Sequence, residues 1–179
     1  AGTLALAQFG TVSQVARLGS FVMNATKSAA SVELAEMKET GSFSEALAQQ
    51  LRRLRLLTAG AMVLGAVGGG LLGPAAIGLV FSDAVRPDAL TCTIMFGGSM
   101  ALYGSMMLNQ IGIAGENTRQ LLVAGLAGLA VTVICIAPFA SQWGAAGGAA
   151  AVTGGYLARF FTLDRMLVSI ALRTRLAGA

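Results

Sequence analysis

Three long stretches of this chain carry no charged side chain: residues 56–82, 89–115 and 120–158. No other feature limits the fold as strongly. A helix needs about 20 apolar residues to cross a hydrocarbon layer about 30 Å thick, and every one of these stretches is long enough. The last has room for two crossings, with Pro138 and the Trp143-Gly144 pair interrupting it near the middle. The pattern predicts apolar segments at roughly 56–81, 90–113, 120–140 and 146–170. Composition agrees: 11% of the 179 residues are charged, against about 25% in a soluble domain. The expected fold is all-α, a polytopic membrane helix bundle forming a single transmembrane domain over 1–179. The first residues lack the basic start of a secretory signal, and Arg17 stands where its apolar run would be.

The segment before the first apolar stretch poses a separate question. Residues 3–34 are long enough to span, yet they include Arg17 and Lys27. An arginine at mid-membrane costs about 2.5–3.5 kcal/mol on insertion scales. On a wheel of about 100° per residue, Ser13, Arg17, Ser20, Asn24, Lys27, Ser28 and Ser31 share one sector roughly 100° wide. Val12, Val15, Leu18, Val22, Met23, Ala25 and Ala29 fall outside it. Such a stripe faces protein or water within a membrane, or turns to the headgroups on a helix lying flat. The spanning alternative gives five helices, roughly 3–36, 44–81, 90–113, 118–140 and 146–172.

With five spans, Lys38, Arg52, Arg53, Arg55, Arg119, Arg165, Arg173 and Arg175 fall on one side of the membrane, and Arg86 alone on the other. The bias of lysine and arginine towards cytoplasmic loops then puts the C-terminus in the cytoplasm. Four spans would give the last four helices the same orientation. In the main cytoplasmic connection, 40-TGSFSEALAQQLRRLRLL-57, Gly41 ends one helix and Ser42 with Glu45 is a capping box that starts the next. Arg52, Arg53 and Arg55 read as a topology anchor or as a binding site for acidic headgroups of membrane lipids.

Small residues recur at four-residue spacing: Gly65, Gly69 and Gly73; Gly97, Ala101 and Ser105; Gly144, Gly148, Ala151 and Gly155 at near that spacing. Small faces let helices approach closely in lipid. The run Gly68-Gly69-Gly70 with Pro74 could instead act as a hinge.

Several chemistries are excluded or disfavoured. The chain has no histidine, so it holds neither a serine–histidine pair nor a histidine-ligated metal. Cys92 and Cys135 lie in apolar runs and read as small hydrophobes. The glycine runs lack the Lys-Ser/Thr of a phosphate loop. No enzyme activity, cofactor, metal or nucleic-acid partner is expected. The acids Glu33, Glu36, Glu39, Glu45, Asp83, Asp88, Glu116 and Asp164 all lie in connections or near helix ends. A carboxylate relay at mid-membrane is therefore not expected.

The candidate binding residues are Arg17, Ser20, Asn24 and Lys27 on the striped segment, and Arg159 inside the last apolar one. Guanidinium and ammonium groups pair with phosphate, while amides and hydroxyls satisfy sugar hydroxyls. The competing readings are structural: Arg17 pairs with a neighbouring carboxylate, and Lys27 and Arg159 snorkel to the surface. Asn109 and Gln110, near a helix end, read as capping or packing residues.

The order of these features resembles a known family. It runs from 29-AASVELAEMKETGSFSEA-46 through a Gly/Pro-rich helix closing on 77-IGLVF-81 to 103-YGSMMLNQIGIAGENTRQ-120 and 138-PFASQWGAAGGAAAVTGGYLARF-160. It is similar to the C-terminal half of bacterial polysaccharide and O-antigen flippases, in the multidrug/oligosaccharidyl-lipid/polysaccharide exporter superfamily. The turn 114-AGENTRQ-120 resembles that family's cytoplasmic turn between its tenth and eleventh helices. The stretch Pro138…Gly144…Ala150 resembles its periplasmic turn into the twelfth. The resemblance rests on helix order and small residues, and it covers only the second six-helix lobe without that lobe's first helix.

The resemblance implies one half of an alternating-access transporter in the bacterial inner membrane. Such a protein flips an undecaprenyl-pyrophosphate-linked oligosaccharide between leaflets, and its partner would be the missing N-terminal lobe. Arg17, Ser20, Asn24, Lys27 and Arg159 take the substrate-binding role by position. Half a transporter cannot alternate access, so the chain alone is expected to be inactive. The alternatives are a multidrug cation antiporter of the same superfamily and a non-transporting membrane scaffold or assembly subunit.

Overall fold

The computed structural model describes residues 2–17, 43–114 and 118–177, and these are helical apart from the connection at 81–88. Helix α1 covers 2–17. Helix α2 is Phe43–Val80, α3 is Ala89–Ala114 and α4 is Thr118–Ala177. A single 3-10 turn, Asp83–Val85, sits between α2 and α3. No strand occurs among the described residues.

The start of α2 at Phe43 agrees with the capping pattern, although Ser42 itself lies outside the described residues. The helix then runs unbroken through Gly68–Gly70 and Pro74, so no hinge is expressed there. Helix α3 opens on Asp88. One carboxylate oxygen of Asp88 accepts the Thr91 backbone N–H at 2.6 Å, and the other accepts the Thr91 hydroxyl at 2.8 Å. This cap satisfies one of the orphan donors of the first turn. Asp88→Ala is expected to cost about 1 kcal/mol, seen as a lower melting temperature in detergent.

A straight helix as long as α4 would measure about 90 Å, three times the thickness of a bilayer core. Instead α4 folds back at Gly144, whose φ of 57° and ψ of −127° are not helical. Its first arm, up to Trp143, packs antiparallel on its second arm. A Cβ placed on Gly128 would lie 2.7 Å from the Gly155 carbonyl oxygen, and one on Gly154 would lie 3.6 Å from Val131 Cγ1. Pro138 lies inside the first arm and does not end it.

Small residues set the other contacts too. Gly65, Gly69 and Gly73 face Phe96, Met100 and Cys92 of α3, while Gly97 faces Ala66 and Met62 of α2. Close approach of this kind supplies dispersion contacts that branched side chains would prevent. Helix α3 is the central element, packed against both α2 and α4.

The contacts also fix the direction of α1. Ala5 lies by Gly144, Gln8 Nε2 donates to the Arg86 carbonyl at 2.8 Å, and the Tyr103 hydroxyl donates to the Ala16 carbonyl. Advancing along α1 therefore means advancing along α3 and along the second arm of α4. Helix α1 thus runs beside α3 in the same direction, which is not the geometry of a helix laid across the end of the bundle. Helix α2 and the first arm of α4 run the opposite way.

Two apolar cores result. At the end carrying Arg86, Val12, Ala16, Ile77, Cys92, Met95 and Ala149 close together. Towards the other end, Leu51, Leu108, Ile111, Ala124, Phe160, Leu163 and Leu167 do so. Arg52, Arg53, Arg55, Arg119 and Arg165 belong to this second end, which we call the basic end.

Two helices are long and apolar enough to cross a membrane, over Gln49–Val80 and Thr118–Ile170. Only 17% of the most apolar stretch of the first and 11% of that of the second is buried. A core helix of a soluble protein buries its apolar side chains, but here Leu64, Leu71, Leu72, Leu79 and Ile134 point outward and are at least 70% exposed. Contiguous apolar surface on this scale needs an apolar neighbour.

Candidate functional site: a polar helix edge and a buried ion pair

Helix α1 carries the start of the polar stripe. Val12 is fully buried, with Ala16 5% and Ser13 8% exposed. Arg17 is exposed and pairs with no carboxylate among the described residues. The packed face of α1 thus takes in one edge of the polar sector, and Arg17 projects from the other. Ser20, Asn24 and Lys27 lie outside the described residues.

Arg159 lies in the second arm of α4 and is half-buried. Its Cβ packs close to Gly128 of the first arm. Its Nε is buried and has no hydrogen-bond partner, so this part of the guanidinium does not reach the surface. Asn109 Oδ1 and Gln120 Oε1 are likewise buried and unpartnered. For Asn109 this fits packing rather than capping through that oxygen.

Two grooves are apolar. One, of about 320 Å³, is lined by Ala5, Leu6, Phe9, Ile136, Ala140 and Gly148 near the turn of α4. The other, of about 340 Å³, lies between α2 and α3, with Leu54, Leu57, Thr58, Ala61, Tyr103 and Gly104 in its walls. Neither of these two grooves is lined by Arg17 or Arg159. Arg17 projects from α1, and the Arg159 Cβ lies between the two arms of α4.

An ion pair between α2 and α4 is a polar contact that sequence reasoning misses. Arg55 Nε of α2 donates to Asp164 Oδ1 of α4 at 2.7 Å. Asp164 is the one buried charged residue among those described. In the sequence it stands only near a helix end, and Arg55 groups with Arg52 and Arg53. The available clue is an acid standing beside Arg165 on an otherwise acid-free helix. Its partner, 109 residues away, cannot be read from spacing. Among the described residues, no group of histidine, cysteine or acidic side chains is arranged to hold a metal ion.

The fold defines an all-α bundle with two helices long and apolar enough to cross a membrane. Comparison with protein-family models, with curated proteins and with solved structures finds no match.

Proposed function

We propose that this chain is one lobe of a membrane transporter that flips a lipid-linked oligosaccharide, with five spans and its basic end in the cytoplasm. The observation that supports the reading is the course of α1. It enters at the Arg86 end, runs beside α3 and brings Arg17, exposed on the bundle's flank, to the level of Tyr103 midway along α3, with no carboxylate partner among the described residues. A cation held there needs water, an anion or a partner lobe. A pyrophosphate supplies the anion, and a second lobe would complete the cavity that neither apolar groove provides. The basic end carries the arginine excess that the cytoplasmic side of a membrane protein has. The family resemblance supplies the substrate class.

One rival has an observation behind it. Ser13, on the same edge as Arg17, is packed rather than wet, as it would be in a scaffold whose helices only bind other helices. Two measurements separate the readings. In the protein containing both lobes, Arg17→Ala and Lys27→Ala should each lower export of lipid-linked glycan about tenfold or more, the loss expected for a charge-assisted contact to phosphate. Protein levels should hold, and a matching fall in protein level would favour the scaffold. A cysteine at 17 should react with a water-soluble reagent while one at 12 should not. Protection at both positions would end the transport reading.

A further inference from the structure

Arg52, Arg53 and Arg55 look interchangeable in the sequence, but the fold separates them. Arg52 and Arg53 are exposed and make no ion pair among the described residues. Arg55 turns inward onto Asp164, whose side chain is 11% exposed, while its own is 47% exposed. The pair sits over the core around Leu51, Leu163 and Leu167. The groove between α2 and α3 begins beside it, at Leu54 and Leu57. Helices α2 and α4 meet far less extensively than either meets α3, and this bond joins them beside the apolar contacts of Leu51 and Leu54.

We propose that the Arg55–Asp164 ion pair is a latch that holds the second arm of α4 against α2 and closes the basic end of the bundle. The asymmetry in burial is what makes it releasable. The Arg55 side chain is already half-exposed at the basic end, so parting the pair does not leave that charge buried without a partner. Asp164 is sheltered only while the arm is seated, and moving the arm outward carries the carboxylate to water. An ion pair buried on both sides would resist parting, because each charge would lose its partner in a dry site. One exposed on both sides would hold little. This inference deepens the transport reading and rests on it for its purpose, since a transporter must open at each face in turn.

The test reads opening directly and needs no transport. In the whole chain in lipid vesicles, with Cys92 and Cys135 replaced by alanine, a reporter cysteine is placed at Leu108 in the basic-end core or at Met95 in the other core, each 1% exposed. Asp164→Asn and Arg55→Gln remove the charges at nearly constant shape. Each should raise the labelling rate at 108 by a water-soluble maleimide about tenfold, the order expected for losing a half-buried pair. The rate at 95 should stay unchanged. The double variant should label no faster than the faster single one, because both break the same bond.

Equal acceleration at 95 and 108 would mean general loosening and would overturn the latch. Unchanged labelling at 108, or single effects that multiply in the double variant, would overturn it too. Arg55→Gln changes a half-exposed residue, so it keeps the test open if Asp164→Asn fails to fold. Unchanged labelling in this chain, while the protein containing both lobes still moves glycan, removes the latch and leaves transport standing. The expected labelling in this chain, with a two-lobed protein that moves none, supports the latch and removes transport.

Discussion

Replacing Gly155 by leucine is expected to leave little folded protein. The two arms of α4 approach so closely here that a Cβ on Gly155 would lie 2.6 Å from the Gly128 carbonyl oxygen and would overlap the Thr132 hydroxyl. That hydroxyl is itself fixed, since it donates to the Gly128 carbonyl at 3.0 Å. The obstruction is therefore helix backbone and a tethered side chain, neither of which can swing aside. Overpacking a core normally costs about 1–3 kcal/mol. With backbone on the opposing face, the cost belongs at the top of that range or above it. A domain whose whole stability is about 5–15 kcal/mol does not absorb that easily. Lipid gives no compensating drive for the arms to associate, because close packing is the main attraction between apolar helices there. Gly125 is the control. It lies on the same arm as Gly128, and a Cβ added to it would meet nothing within 4 Å. Gly125→Ala should therefore match the parent or gain about 0.5–1 kcal/mol. Yield of monodisperse protein and the melting temperature in detergent check both. A Gly155→Leu chain that melts with the parent would show that the arms do not pack through this site.

The fold is largely legible because charge is so sparse. The charge-free stretch 89–115 coincides almost to the residue with α3 at Ala89–Ala114. The stretch 56–82 covers only the later part of α2, Phe43–Val80, whose start lies at the capping pattern instead. The break at Trp143-Gly144 is where α4 turns. In each case the signal is local, an apolar run or a residue unable to continue a helix. The small-residue spacings also point correctly, since Gly65, Gly69 and Gly73 all face α3. Gly68–Gly70 and Pro74 lie within unbroken helix, where Gly69 and Gly70 face Phe96 and Thr93 of α3. That the expected helices number five is legible only as arithmetic on spans. The described geometry contributes the direction of α1 and two helices with the length and apolarity to cross.

The candidate site is less legible, for a different reason. A helical wheel states which residues share an edge, not what lies opposite that edge. Ser13 and Arg17 share a sector, but one packs and the other is exposed, because the boundary of the buried face falls between them. The remaining stripe residues, Ser20, Asn24 and Lys27, lie outside the described residues. Arg159 reads from the sequence as a binding residue or a snorkelling one. Its Nε is buried, and its Cβ lies against Gly128 of the first arm of α4, a contact that exists only once α4 has folded back. The same is true of Arg55 and Asp164, which meet only through tertiary packing. Charge pairs between helices depend on rotation about each axis, and a single sequence does not carry that angle.

Gly144→Ala is expected to destabilise the bundle although there is room for the added methyl. The nearest atom to a Cβ at this position is the Ala5 Cβ at 3.8 Å, an ordinary contact. The backbone is the obstacle. A φ of 57° with a ψ of −127° is the mirror image of the extended conformation open to L residues, and only glycine adopts it freely. Holding an L residue there costs about 1–3 kcal/mol. The turn cannot relax cheaply. Gly147, just past the reversal, packs directly on the Phe139 carbonyl of the first arm, and any rotation at 144 drives those atoms together. The melting temperature of Gly144→Ala should therefore fall below that of the parent, and Gly144→Val should fall further. Chirality provides the decisive comparison. D-alanine at 144, introduced by semisynthesis, has the same size and the opposite backbone preference, so it should melt at or above the parent. A crowded turn would reject both forms of alanine, and a flexible one would accept both. Discrimination between them is the result required by a hairpin whose reversal depends on one left-handed residue.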